Sequence, residues 1–135
     1  MLSKEKKSSQ PEPLESNEII SRFIFDRSYI RKTVPIIKYN AFLPNPDNGK
    51  ASVFRKEKMS KEYYEEIKEK VERARKREKK GAALVEVVEV DSAGVCVNPE
   101  ESEYLWHADI EGWPLEKDKI MSIAQQIAAK AKLEE

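Results

Sequence analysis

Apolar and polar residues alternate in a short segment near the start of the chain. Residues 19–25 have the sequence IISRFIF, in which most positions are β-branched or aromatic. This alternation predicts a strand, because side chains along a strand point to opposite faces in turn. Phe23 and Phe25 are expected on one face, and Ile20 and Ile24 on the other.

Three further segments predict strands or turns. Residues 51–55 (ASVFR) predict a second strand, which follows the turn-forming sequence PNPDNG at 44–49. Residues 84–90 (LVEVVEV) predict a valine-rich strand. The sequence DSAG at 91–94 favours a hairpin connection from that strand to another at 95–97.

A helical period begins after Ser60, whose hydroxyl can cap the free amides of a first turn. Apolar residues recur at spacings of three and four as far as Ala74, and glutamates precede lysines or arginines by four positions. Gly81 suits the position just after a helix end. The pattern predicts a helix over residues 61–80.

A second amphipathic stripe lies near the end of the chain. Isoleucine and alanine recur at spacings of three and four between Ile120 and Ala131, after Pro114. We expect a helix over about 116–133. The predicted fold is α+β, with a small, largely antiparallel sheet and two packed helices.

The first 17 residues (MLSKEKKSSQPEPLESN) are too polar to bury the surface that would offset their ordering entropy. They are predicted to be a disordered tail, with a single domain over residues 18–135. No apolar run approaches the roughly 20 residues of a membrane span, and the N-terminus has no apolar core of a secretory signal. The expected location is the cytoplasm.

The chain has one cysteine and one histidine among 135 residues, so an intramolecular disulfide and a Cys/His zinc cluster are excluded. Cys96, between two valines, is expected to be a small core residue. Motifs of phosphate-binding loops, dinucleotide folds, serine hydrolases, metalloproteases and EF-hands are missing. No cofactor and no resident metal are predicted.

Charge is distributed unevenly although the formal net charge is zero. Residues 1–80 carry 21 basic and 13 acidic groups, whereas residues 81–135 carry 4 basic and 12 acidic groups. The asymmetry indicates either a basic face for an anionic partner or two halves that attract each other.

The densest group of chemically capable residues lies in WHADIEGWP at 106–114. If this segment is extended, His107 and Asp109 share a face, and an imidazole beside a carboxylate can act as an acid or base near neutral pH. The two could also give two ligands to one metal, with Asp26 or Glu111 added.

Arg55 could bind an anion beside this pair through its forked guanidinium group. His107, Asp109 and Arg55 are the candidate catalytic residues, and Trp106 and Trp113 are candidate binding residues. The alternative is that His107 is a partly buried residue bonded to backbone, with both tryptophans as core or lid residues.

A second candidate site is the basic end of the predicted helix 61–80. Clustered lysines and arginines can neutralise phosphates in a salt-sensitive way. They could equally be a solvated helix end that complements the helix dipole. The candidate binding residues are Arg73, Arg75, Lys76, Arg77, Lys79 and Lys80.

Four short motifs, RFIF at 22–25, NAFLP at 40–44, SVFR at 52–55 and HADIEGWP at 107–114, resemble a family of small, uncharacterised bacterial and archaeal proteins. The resemblance covers about residues 20–133, and HA-x-I-x-GWP is its most specific motif. It implies a shared fold with Arg55, His107, Gly112, Trp113 and Pro114 as marked positions, but no reaction, because that family has no assigned activity.

The leading functional prediction is a non-enzymatic binding or accessory module for a protein or nucleic-acid partner. It depends on the missing catalytic motifs and the charge asymmetry. One alternative is a small hydrolase or nuclease that uses His107 with Asp109 and Arg55. Another is a structural subunit of a larger assembly, which an exposed apolar patch on the helix at 116–133 would favour.

Overall fold

A computed structural model describes residues 11–34 and 36–135, where six strands form one sheet. The strands are β1 (Ile19–Ile24), β2 (Ala51–Phe54), β3 (Gly81–Glu86), β4 (Cys96–Pro99), β5 (His107–Glu111) and β6 (Lys132–Glu134). Their spatial order is β4-β5-β2-β1-β3-β6, and every neighbouring pair is antiparallel. The predicted α+β class with an antiparallel sheet is confirmed.

Helices pack on both faces of this sheet. The α-helices are α1 (Lys61–Arg75), α2 (Val87–Ser92) and α3 (Lys117–Lys130), and three short 3-10 turns lie at Arg27–Tyr29, Tyr39–Phe42 and Lys56–Lys58. Within the described residues, none of these helices is both long and apolar enough to cross a membrane.

The alternation of β1 divides the core into two clusters. Phe23 and Phe25 pack with Tyr64 and Ile67 of α1 on one face. Ile20 and Ile24 contribute to the larger cluster on the other face, which includes the buried residues of α2 and α3. The predicted faces of this strand are therefore confirmed.

The first helix begins as predicted but ends earlier. The Ser60 hydroxyl accepts a hydrogen bond from the Tyr63 amide at 3.0 Å and caps α1. The helix stops at Arg75 because Lys76 adopts the left-handed conformation, with φ of 57°. The Lys80 amide then donates to the Ile24 carbonyl, so residues predicted as helix instead lead into β3.

The predicted strand at 84–90 is wrong in its second half. The strand ends at Glu86, and the chain continues as α2, in which Val87 and Val90 are buried at a helical spacing of three. The predicted hairpin at 91–94 is also wrong. β3 and β4 are separated by β1, β2 and β5, so this segment belongs to a crossover rather than a tight turn.

Cys96 is exposed, which corrects its expected place in the core. It lies on the edge strand β4, where Val95 and Val97 face inward and the residue between them faces out. β4 also extends beyond the predicted strand at 95–97, because Asn98 and Pro99 are its last two residues.

The N-terminal prediction covers residues 1–17, of which 1–10 lie outside the described residues. The remaining part is packed. The carbonyl oxygens of Glu12 and Pro13 accept hydrogen bonds from the Arg55 guanidinium, and the Ser16 carbonyl accepts one from the Val88 amide. Ordered packing therefore begins before the predicted domain boundary at residue 18.

Candidate functional site

His107 and Asp109 lie on the same face of β5, as the alternation predicts. The distance from His107 Nε2 to Asp109 Oδ1 is 3.8 Å, and only 12% and 13% of the two side chains are exposed. The antiparallel pairing of β5 with β2 sets Ser52 opposite Asp109. Ser52 Oγ consequently lies 2.5 Å from His107 Nε2.

The loop before β5 holds the other side of the imidazole. His107 Nδ1 lies 2.7 Å from the backbone carbonyl oxygen of Glu100 and 3.3 Å from its carboxylate Oε1. A carbonyl oxygen only accepts hydrogen bonds, so Nδ1 must carry the proton. In the neutral ring Nε2 then has the lone pair and accepts from the Ser52 hydroxyl.

The two carboxylates near this ring have opposite pKa shifts. Burial raises the pKa of Asp109, and the negative charge of Glu100 adds to the rise, while His107 opposes it. The pKa of Glu100 is lowered chiefly by the Ser102 hydroxyl, which donates to its carboxylate. The imidazole ring therefore lies between Glu100, which loses its proton more readily than an ordinary glutamate, and Asp109, which loses its proton less readily than an ordinary aspartate.

Arg55, the third predicted catalytic residue, lies elsewhere. Its guanidinium is fully buried and donates from Nε to Glu18 Oε2 at 2.7 Å and from a terminal nitrogen to Glu18 Oε1 at 3.0 Å. None of its hydrogen bonds or ion pairs within the described residues involves His107 or Asp109. The structure thus separates Arg55 from the other two predicted residues.

The two tryptophans predicted to bind a partner also lie apart from this cluster. The Trp106 ring has the Arg55 guanidinium over its face, 5.5 Å from the ring centroid. The Trp113 indole donates to the Ile110 carbonyl at 2.9 Å and packs on the larger core cluster. Both contacts are those of structural aromatic residues.

An open cavity of about 430 Å³, here called the basic groove, lies between β1, the loops before β2 and the end of α1. Its charged or polar lining residues are Arg22, Asp26, Tyr29, Asn40, Asn45, Arg75 and Arg77. None of the three arginines forms an ion pair with a carboxylate in residues 11–34 and 36–135. Three guanidinium groups thus outnumber the single carboxylate that lines the groove, Asp26, and the groove has an excess of positive charge.

Arg22 is held rigidly in this groove. Its Nε donates to the Ala41 carbonyl at 2.9 Å, and its two terminal nitrogens donate to the carbonyls of Ser52 at 2.7 Å and Leu43 at 3.4 Å. Burial, followed by repulsion from Arg75, lowers the pKa of Arg22 to about 10. The side chain stays charged at neutral pH with carbonyl dipoles as its hydrogen-bond partners.

The predicted basic helix end is divided by the structure. Arg75 and Arg77 line the basic groove, with the Arg75 guanidinium 4.7 Å from the centroid of the Phe25 ring. Arg73 and Lys76 instead line a neighbouring depression with Glu69, Glu72 and Glu78, and Arg77 lines this depression as well as the groove.

The other two residues of that end face away from the groove. Lys79 lies over the rings of Phe23 and Tyr64, where burial lowers its pKa, and Lys80 pairs with Glu78 at 3.7 Å. Of the six predicted binding residues, Arg75 and Arg77 thus line the basic groove, and Arg73, Lys76 and again Arg77 line the neighbouring depression.

A smaller cavity of about 210 Å³ adjoins the basic groove at Arg75, which lines both. Ser52, Glu100, Glu103 and His107 are among its polar lining residues. The two cavities place an unpaired guanidinium next to the imidazole and its carboxylates.

Sequence reasoning missed three residues of this region: Arg22, Ser52 and Glu100. The sequence did contain evidence for Arg22, because the alternation of β1 sets this charged residue on the same face as the apolar residues Ile20 and Ile24. Ser52 and Glu100 reach His107 only through strand pairing and a loop return, which no local pattern reveals.

Chemically, the region can bind anions at its arginines and can transfer protons through His107. Glu100, His107 and Asp109 can also each offer a ligand atom to one metal ion, since one such atom from each lies within 4.8 Å of the others.

Comparison of the chain with models of known protein families, with curated proteins and with solved structures found no match.

Proposed function

We propose that the protein is a binding module for nucleic acid, whose phosphate groups enter the basic groove. The observation that carries this proposal is the set of three guanidinium groups, Arg22, Arg75 and Arg77, which line one cavity with no carboxylate ion pair among the described residues. Protein cations gain free energy from phosphates by neutralising them and releasing counterions.

Arg22 supports the proposal through its environment. A partly buried cation is costly unless opposite charge compensates it, and its hydrogen-bond partners here are neutral carbonyls. Repulsion between Arg22 and Arg75 adds to that cost. An anion bound between Arg22 and Arg75 would reduce both the cost of burying the Arg22 charge and the repulsion between the two arginines. The groove therefore favours a negatively charged ligand.

The arrangement of the cations favours a polyanion over a single small anion. Arg75 and Arg77 are exposed, and the surface continues around the end of α1 to Arg73 and Lys76. Successive cations along one surface suit the regularly spaced phosphates of a nucleic-acid strand. Asp26 also lines the groove, where the amide and hydroxyl of Ser28 both donate to its Oδ1 and Arg77 attracts its charge, but the three arginines outnumber it.

Fluorescence anisotropy with labelled single-stranded and duplex DNA and RNA tests the proposal at low salt. The double variant R75Q/R77Q should weaken binding about tenfold or more and lower the magnitude of the salt slope by about 2, because two phosphate contacts are lost. R73Q/K76Q is the matched control: it removes the same charge from the same helix end but leaves the groove unchanged.

The control variant should lose clearly less affinity than R75Q/R77Q, because Arg73 and Lys76 contact phosphates only beyond the groove. Equal losses in the two variants would show that the general surface charge binds the ligand and would overturn the assignment to the groove. Absence of binding to every nucleic acid, combined with binding of an acidic protein, would replace the proposed class of partner.

A further inference from the structure

The histidine cluster of Glu100, His107 and Asp109 has a feature that phosphate binding in the groove does not explain. Two carboxylates flank one half-buried imidazole, and one ligand atom from each of the three residues lies within 4.8 Å of the others. Negative groups at this separation repel one another unless a cation lies between them.

The imidazole is held as metal-binding histidines are held. Its Nδ1–H donates to the Glu100 backbone carbonyl at 2.7 Å, which fixes the ring orientation and leaves the lone pair on Nε2. Metal-ligating histidines commonly donate their second ring N–H to a carbonyl or carboxylate in this way. The free lone pair of His107 points toward Asp109 and Ser52.

We propose that Glu100, His107 and Asp109 bind a divalent transition metal ion of the zinc or manganese class. Nε2 and Asp109 Oδ1 are 3.8 Å apart, close to the roughly 3.4 Å that separates two ligands each about 2.1 Å from a tetrahedral ion. One imidazole nitrogen with two carboxylate oxygens suits zinc or manganese better than magnesium or calcium.

Glu100 completes the site by moving its side chain. Its Oε1 lies 3.3 Å from Nδ1 and 39% of its side chain is exposed, so rotation toward Nε2 breaks the hydrogen bond that the Ser102 hydroxyl donates to Oε2 but starts from a partly exposed side chain. The Ser52 hydroxyl gives up its hydrogen bond to Nε2 when the ion binds. Remaining coordination positions open toward the cavity that Arg75 lines.

This site is independent of the proposed nucleic-acid binding, because it can be assayed with the metal alone. Untagged full-length chain is treated with EDTA, dialysed and titrated with zinc chloride or manganese chloride by calorimetry. We expect saturable binding of one ion per chain. His107 is the sole histidine of the sequence, so its imidazole nitrogen resonances give an unambiguous second readout. The Nε2 resonance should shift more than that of Nδ1.

Variants locate the ion. D109N and E100Q should each weaken binding about tenfold or more, because each removes a ligand charge. E103Q is the matched control, since Glu103 lines the same cavity outside the cluster, and it should bind within threefold of the unchanged chain. C96S removes the exposed thiol, which could bind zinc outside the cluster, and should also leave binding unchanged.

Absence of saturable binding at millimolar zinc and manganese would overturn the proposal. So would D109N and E100Q chains that bind as the unchanged chain does while the His107 resonances stay in place. Circular dichroism checks that each variant is folded, and if D109N is not, the exposed position of Glu100 makes E100Q the deciding variant.

Discussion

Arg22 lies on β1 and Arg55 directly follows the neighbouring strand β2, yet only the charge of Arg55 is neutralised by a bonded carboxylate. Arg55 is fully buried and forms a forked ion pair with Glu18, and the carbonyls of Glu12 and Pro13 take further donors. Arg22 lies at an open groove, where the carbonyls of three residues accept its hydrogen bonds without neutralising it.

The difference separates a buried, paired charge from one that lies at an open cavity. The Arg55–Glu18 pair is sealed from solvent, so it can only hold the N-terminal segment against the sheet. The uncompensated charge of Arg22 faces a cavity and retains an attraction that a ligand can use. Residue type and motif membership are alike in the two cases, and the two side chains differ in their carboxylate partner and in their access to solvent.

The largest expected effect comes from breaking the sealed pair. R55M should lower the free energy of unfolding by about 3–5 kcal/mol, because Glu18 would remain buried without a counter-charge. Urea denaturation measures the change. The double variant R55M/E18L should be more stable than R55M alone, and a cost below about 1 kcal/mol for R55M would contradict this account.

A smaller loss of stability is expected at the open arginine. R22Q should cost about 1–2 kcal/mol, because the three carbonyls that lose a donor lie near the groove, where water can reach them. The same variant should lose most of its affinity for nucleic acid, whereas R55M, wherever it remains folded, should keep it. If R22Q destabilised the chain as much as R55M, the comparison would fail.

The smallest effect concerns Asp109 and depends on pH. Burial raises its pKa above the ordinary value of 3.8, so the unfolded chain releases this proton at lower pH than the folded chain. As pH rises through that window, the unfolded state binds fewer protons and Asp109 lowers the stability of the fold. Above the raised pKa this penalty is constant.

D109N removes the penalty. Relative to the unchanged chain, D109N should therefore gain stability between pH 3.5 and pH 7, as measured by urea midpoints in EDTA. A relative loss over the same range would mean that His107 lowers the pKa of Asp109 more than burial raises it.

Much of the fold could be predicted from local sequence, because several elements have a clear hydrophobic period or a recognisable capping residue. The strand at 19–25, the Ser60 cap and the C-terminal amphipathic helix all appear in the structure close to their predicted positions. The segment Val87–Val90 was misassigned because a short run of valines fits a strand by propensity. Its tertiary packing at a spacing of three makes it helical.

The candidate site was less predictable because long-range pairing assembles it. The shared face of His107 and Asp109 follows from strand alternation alone. The partner of Arg55 lies 37 residues away in sequence, and Ser52 lies 55 residues from His107. No spacing rule connects such positions, so the predicted grouping of Arg55 with His107 could not be tested before the sheet order was known.

The way Arg22 is fastened also limits the geometry of recognition. A guanidinium has five N–H donors, and carbonyl groups take one on Nε and one on each terminal nitrogen. Each terminal nitrogen carries a second N–H beyond these bonds, and under the proposed function these two donors are the ones left for an oxyanion. Under the proposed function, Arg22 would bind such a group while its Nε keeps the hydrogen bond that joins β1 to the turn at Tyr39–Phe42.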